Sequence, residues 1–272
     1  MDLQVGLFGC GTIGQEIANA TTSGRIGVSL THVYDRNSEK AQAVRRLFSH
    51  RKPTVVESPD ELLTADLLIE AAGHEAIEQV VPEALNSGTD CILLSVGALA
   101  DEALYTDVLE AASGGGRVLV PSGAIAGLDA IKAAAFTDEL ESVSLTTRKP
   151  PTGLEGAPHI EREGIDLDAI SEPTEIFVGP ARRAATAFPS NINVAMALSL
   201  AGIGPDATTV RIVADPNEDN NVHKIEAHGG MGTIETRVRN VPSPSNPKTS
   251  YLAAVSAIEK VRGLDENVHV GT

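Results

Sequence analysis

Two stretches of the 272-residue sequence combine residue types that do chemistry. Near the start, Gly9-Cys10-Gly11-Thr12-Ile13-Gly14 spaces three glycines as G-x-G-x-x-G. Each glycine has its own physical task in such a run: a tight turn, a close approach of bare backbone to a pyrophosphate, and close packing of helix on strand. The run follows the apolar segment LQVGLFG and opens the segment GTIGQEIANATTS. Phosphates there would meet unpaired N–H groups, those of Thr12 and Ile13 among them, and the positive end of a helix dipole. Asp35 closes the next predicted strand, 21 residues after Gly14. A carboxylate at that place accepts hydrogen bonds from both hydroxyls of an adenosine ribose, which predicts NAD. Arg36 beside it could meet a 2′-phosphate, so NADP stays open.

The second stretch is VADPNEDNNVHKIEA, residues 213–227, in which one histidine follows a run of small, acidic and amide side chains. From Val222 the residues alternate as in a strand. Val222, Lys224, Glu226 and His228 share one face; His223, Ile225 and Ala227 share the other. His223 is therefore expected to point inward and His228 outward. An imidazole, with an ordinary pKa of about 6.5, suits proton exchange near neutrality. His74 follows the strand-like LLIEAAG at a carboxyl end, where ligands of such sheets bind. His32, His50, His159 and His269 read as surface or strand residues. Cys10 and Cys91 offer no disulfide framework, and no pattern of Cys, His and carboxylates argues for a metal.

The elements that must position these residues follow a strand–helix rhythm over the first 120 residues. GVSLTHVYD, DLLIEAA, DCILLSV and RVLVPSGA read as strands, the middle two as apolar runs buried on both faces of a parallel sheet. NSEKAQAVRRLFS, capped by Asn37 or Ser38, HEAIEQVVPEALNSG, ending at Gly88, and DEALYTDVLEAASGGG read as helices. The predicted fold class is α/β: a Rossmann-type doubly wound parallel sheet with a second α/β (α+β) substrate domain. After residue 120 the rhythm breaks. ELESVSLTTRKPP, TEIFVG, TTVRIVAD, NVHKIEAHG and GTIETRVRNV are expected strands, and residues 150–173, rich in Pro, Gly and acid, a loop or flexible lid. FPSNINVAMALSLAGIG and PKTSYLAAVSAIEKVRG are expected helices. The domains are then 1–122, completed by a C-terminal helix over 247–272, and 123–246 for substrate, catalysis and oligomerisation.

The net charge of −16 argues against nucleic acid and against anionic membrane surfaces as partners. Seven lysines against fourteen arginines, with excess Asp and Glu, fit a salt-adapted host as well as an ordinary acidic enzyme. No apolar run reaches the roughly 18–20 residues that span a bilayer, and MDLQVGLFGCG lacks the basic start of a signal peptide. A cytoplasmic location is expected.

Behind the glycine run, PSGAIAGLDAI, TTRKPP, FPSNINVA, VRIVADPNEDNNVH and NPKTSYLAA occur in this order. Together they resemble the L-aspartate dehydrogenase family, and the resemblance covers essentially the whole chain. It implies oxidation of aspartate to iminoaspartate with NAD or NADP in NAD biosynthesis, a homo-oligomer (a dimer or larger), and a hand-off of iminoaspartate to a quinolinate synthase. The family's catalytic histidine matches His223, and its cofactor contacts match Ala124 and Asn193. The stretch Pro151–Glu175 departs from the pattern in being longer and more acidic than the family leads one to expect.

A dicarboxylate substrate needs cations or donors at both ends. Lys248, Thr249 and Ser250, placed at the start of the last helix, are candidates, as are Ser122 and, more weakly, Arg148. Two rivals are a related dehydrogenase or reductase of another amino acid and a non-catalytic NAD-binding redox sensor. The HH-x-x-K cluster and SGT loop of dihydrodipicolinate-type reductases are missing. So is the second-domain cysteine of aldehyde-forming relatives.

Overall fold

Short runs that are apolar throughout can be buried only where both faces are covered. Leu67–Ile69 and Cys91–Leu93 are such runs, sealed from solvent within the strands Leu67–Glu70 and Asp90–Leu93. They form the middle of a parallel sheet in this computed structural model, which describes residues 3–189, 192–243 and 246–271, with backbone alone for 246–249. The strands are β1 (Leu3–Phe8), β2 (Val28–Tyr34), β3 (Thr54–Val55), β4 (Leu67–Glu70), β5 (Asp90–Leu93) and β6 (Val118–Leu119), in spatial order β3-β2-β1-β4-β5-β6. The order reverses between β1 and β4, the crevice where sheets of this kind take ligands. Between the strands run α1 (Thr12–Thr22), α2 (Ser38–Arg46), α3 (His74–Asn86) and α4 (Glu102–Ala112). Asn37 caps α2 by accepting from the Glu39 N–H at 3.0 Å, and Gly88 takes the left-handed conformation just past α3.

The second sheet is mixed. Helix α5 (Leu128–Ala135) leads into β7 (Leu140–Lys149); then come α6 (Pro158–Glu163), β8 (Thr174–Pro180), α7 (Ala181–Ala187) and α8 (Asn193–Ala201). Strands β9 (Thr209–Ala214), β10 (Asn221–Gly229) and β11 (Gly232–Asn240) complete an order of β11-β10-β7-β9-β8. β7 is central, antiparallel to β10 and parallel to β9. The segment 150–173, expected as a loop or lid, carries two 3-10 turns and α6, and it buries Leu154, Ala157 and Ile160.

The end of the chain departs from expectation. Residues 246–250 are not a helix start: β12 (Pro242–Ser243) and β13 (Asn246–Ser250) pair antiparallel, and α9 runs only over Tyr251–Arg262. Pro247 resembles a first-turn helix proline, but pairing with β12 keeps this segment extended. Contacts divide the chain into two units, Met1–Pro121 with Ala254–His269 and Ser122–Ala253 with Val270–Thr272. Ala257 and Val261 of α9 join the core of the first unit, with Val5, Leu7, Ile17 and Val33.

Candidate functional site

In the first unit the glycine run links the end of β1 to α1. Gly9 has φ +103, and a Cβ on it would lie 2.4 Å from the carbonyl carbon of Ala71. A Cβ on Gly14 would lie 2.1 Å from the Gly9 oxygen, so helix and turn touch through backbone alone. Gly11 differs: a Cβ there would meet nothing within 4 Å. Its missing side chain leaves bare backbone open to a ligand. The first turn of α1, where Thr12 and Ile13 lie, holds no acidic residue to repel a phosphate.

Asp35 stands beside this turn. Its Oδ2 accepts from the Cys10 N–H and its Oδ1 from the Asn37 N–H, both at 2.8 Å. Each oxygen keeps a further lone pair for a ribose hydroxyl. Open backbone at Gly11, an acid-free helix start and an oriented carboxylate together fit a dinucleotide. Arg36 is exposed and pairs with Glu75 at 2.8 Å, which sets a carboxylate against any 2′-phosphate brought there. Burial pushes the Cys10 thiol, the first cause, and nearby Asp35 adds to it, up to about 12. Cys91 is likewise raised to about 12 by burial. Both thiols stay protonated and unreactive at neutral pH.

Glu70 is a residue that sequence reasoning missed. Fully buried at the end of β4, it accepts from the N–H groups of Ala72, Gly73, Leu94 and Ser95 and from the Ser95 hydroxyl, at 2.8–3.3 Å. It ties together the turns that follow β4 and β5, and Gly9 packs on the first of them. An acid closing the apolar run LLIE was the available signal. His74 begins α3 and is exposed.

In the second unit His223 is 5% exposed, on the inner face of β10, while His228 is exposed. The His223 Nδ1 lies 3.0 Å from the Thr147 hydroxyl, and these residues are register partners across β10 and β7. Burial first, and the positive charge of Lys149 second, hold its pKa down at about 4. The free protein therefore carries a neutral imidazole at pH 7, where the sequence alone suggested a group titrating near neutrality. Lys149, two residues beyond Thr147 on the buried face of β7, is itself lowered by burial to about 8. Sequence reasoning missed it too, although the alternation Leu145, Thr147, Lys149 points it inward.

Ala124 is buried and its carbonyl accepts from the Asn240 side-chain amide at 3.0 Å. A Cβ on neighbouring Gly123 would lie 3.7 Å from Val194, so the Ser122–Ala124 segment borders the first turn of α8, which Asn193 opens. Ser122 is half-buried. Lys248 and Thr249 sit on β13, so the helix N-terminus expected to reinforce their anion binding is not theirs; their side chains, like Asn191, lie outside the described residues. Arg148 is bound to Asp215 at 2.8 Å. His159, expected as a surface or strand residue, is buried in α6: its ring packs against Phe177 and Phe188, and its Nε2 donates to the Ile176 carbonyl while Arg162 donates to Nδ1. Among the described residues, no group of three or more His, Cys, Asp or Glu is placed to hold a metal ion.

Comparison with known proteins assigns each part a counterpart. Residues 129–264 match the family described as aspartate dehydrogenase, C-terminal, and residues 9–121 the one described as homoserine dehydrogenase, NAD binding domain. The L-aspartate dehydrogenase of Methanosarcina barkeri is 44% identical over 99% of this chain and 100% of its own. That of Bradyrhizobium diazoefficiens is 42% identical over 100% of this chain and 95% of its own. The crystal structure of aspartate dehydrogenase from Thermotoga maritima superposes with a TM-score of 0.79 over 100% of both chains, at 25% identity. A homoserine dehydrogenase from Thiobacillus denitrificans, 13% identical with a TM-score of 0.59 over 96% of this chain and 74% of its own, shares the fold.

Proposed function

The chain belongs to the L-aspartate dehydrogenase family, and on that premise we propose that it oxidises L-aspartate to iminoaspartate with NAD or NADP. The observation that carries the mechanism is the buried, neutral imidazole of His223 held on Thr147. An aliphatic ammonium has no lone pair to assist hydride loss, so a base must first remove a proton. In the tautomer that donates Nδ1–H to the Thr147 hydroxyl, the lone pair of His223 lies on Nε2, the nitrogen that would take the proton of the substrate amine. The low pKa keeps that lone pair available throughout the neutral range. The nicotinamide, when bound, supplies the hydride acceptor. Gly9, Gly11, Thr12, Ile13 and Gly14 receive its pyrophosphate, Asp35 its adenosine ribose, and Ala124 and Asn193 complete the cofactor's contacts. Ser122, Lys248 and Thr249 serve as polar contacts to the substrate. Hydrolysis of released iminoaspartate gives oxaloacetate and ammonia.

In this reading residues 1–122 with the C-terminal helix bind the nucleotide, and residues 123–246 carry substrate, catalysis and assembly into a homo-oligomer. The enzyme works in the cytoplasm on a small molecule and feeds NAD biosynthesis, with quinolinate synthase as the recipient of iminoaspartate. Family membership supports these assignments, and no helix among the described residues is long and apolar enough to cross a membrane.

The test is the formation of reduced nicotinamide by purified protein with each cofactor and a panel of amino acids, and the reverse reaction with oxaloacetate and ammonia. Turnover confined to aspartate is expected. Preference for another amino acid, or tight cofactor binding with no turnover at all, contradicts the proposal.

A further inference from the structure

Within the second unit a cavity of about 600 Å3 opens beside the end of β7. Its wall includes Lys149, Phe188, Asn221 and Asn240, with Glu155 and Asp219 exposed on its lining. Lys149 is 8% exposed and shares the buried face of β7 with Thr147, the residue that holds His223. An ammonium placed in a cavity wall beside an imidazole favours an anion there and disfavours a second cation.

Asn240 adds an independent observation. It is 3% exposed, and its Nδ2 donates to the Ala124 carbonyl. A carbonyl accepts only from a donor, so this bond fixes which end of the amide is nitrogen. The other end, Oδ1, is a buried acceptor with no hydrogen-bond partner, alone in this among the buried side-chain atoms of the described residues. Buried polar atoms left in this way call for an explanation, and a ligand donor is one. The residues lining the cavity therefore include a cation suited to a carboxylate and an amide whose oxygen is an unused acceptor suited to an amine, the two polar ends of an amino acid.

We propose that this cavity recognises the amino acid substrate, with the Lys149 ammonium binding a carboxylate and Asn240 Oδ1 accepting a hydrogen bond from the amine. The assignment rests on the reading of the chain as an aspartate dehydrogenase. A carboxylate on Lys149 offsets the charge that weakens His223 as a base, so substrate binding strengthens the base. Asn240 orients the amine and, through Ala124, couples the substrate pocket to a segment assigned to the cofactor. Phe188, braced by the His159 ring, supplies the apolar wall.

The experiment uses the full-length protein and two readouts. The first is calorimetric titration with succinate, which carries both carboxylates of aspartate and no amine. The second is steady-state kinetics with aspartate. Lys149→Met keeps the stem and removes the charge. It is expected to weaken succinate binding and raise the aspartate KM, each by about tenfold or more, with the NAD KM within about twofold of wild type. Lys149→Arg should recover part of the loss. Asn240→Leu is expected to lower the ratio of aspartate to succinate affinity by about tenfold or more, because succinate has no amine to lose. Lys149→Gln, which keeps a polar end, serves as a second variant should the first not fold. A folded Lys149 variant with wild-type succinate affinity overturns the carboxylate assignment, and an unchanged ratio in Asn240→Leu overturns the amine assignment. Wild-type protein that binds succinate through Lys149 yet forms no reduced cofactor from aspartate would sink the activity and leave the pocket standing.

Discussion

Replacing His223 by Gln removes one buried titratable group and leaves an amide that can still meet Thr147. His223 titrates at about 4 in the folded protein against 6.5 for an unperturbed imidazole, with burial the larger cause and Lys149 the smaller. The folded state thus binds this proton less readily than the unfolded chain, so protonation favours unfolding. The stability lost is nil well above pH 6.5, grows as pH falls below it, and is complete below about pH 4. At about 1.4 kcal/mol per pH unit the full loss is about 3 kcal/mol, and between pH 7 and pH 5 it is about 2 kcal/mol. Denaturant unfolding of wild type and His223→Gln at a series of pH values isolates this contribution, because both proteins carry every other titrating group. The wild-type stability should fall relative to the variant by about 2 kcal/mol from pH 7 to pH 5. Parallel curves would show that the imidazole is not buried and neutral, and the derivation of its role as a base would fail with it.

Three further outcomes are expected. Gly14→Ala places a methyl group about 2.1 Å from the Gly9 oxygen; NAD affinity measured by fluorescence titration should drop about tenfold or more as the turn deforms. Asp35→Ser removes the carboxylate that would repel a 2′-phosphate, so the ratio of kcat/KM for NADP to that for NAD should rise about tenfold or more. Glu70→Ala removes the side-chain acceptor of the Ala72, Gly73 and Ser95 N–H groups and of the buried Ser95 hydroxyl, and should cost about 3 kcal/mol of stability by denaturant unfolding.

What could be read from the sequence follows the reach of the interaction concerned. The parallel first sheet was legible in local apolar runs and glycine spacing, and the helix over His74–Asn86 lies where its periodicity placed it. The inward turn of His223 was legible because alternation along a strand is a local pattern. Lys149 obeys the same pattern at the end of the expected strand ELESVSLTTRKPP, and the structure keeps it in β7, but a lysine beside two prolines gives no local sign that its ammonium is buried. Lys248 and Thr249 were misplaced because their strand depends on a partner, Pro242–Ser243, that no local signal announces. His159 sits in a segment whose composition suggests a loop; the aromatic rings that bury it arrive from residues 177 and 188. The pKa of His223 was illegible for the same reason, since burial and the charge of Lys149 are properties of the folded strand pair.

In the proposed mechanism His223 takes the proton from the substrate amine while the glycine turn holds the cofactor. The most direct test is aspartate-dependent formation of reduced nicotinamide by His223→Ala, with NAD binding measured on the same preparation. A fall in kcat of about 100-fold or more is expected, with NAD affinity within about twofold of wild type. A variant that binds NAD normally and retains wild-type turnover would contradict it.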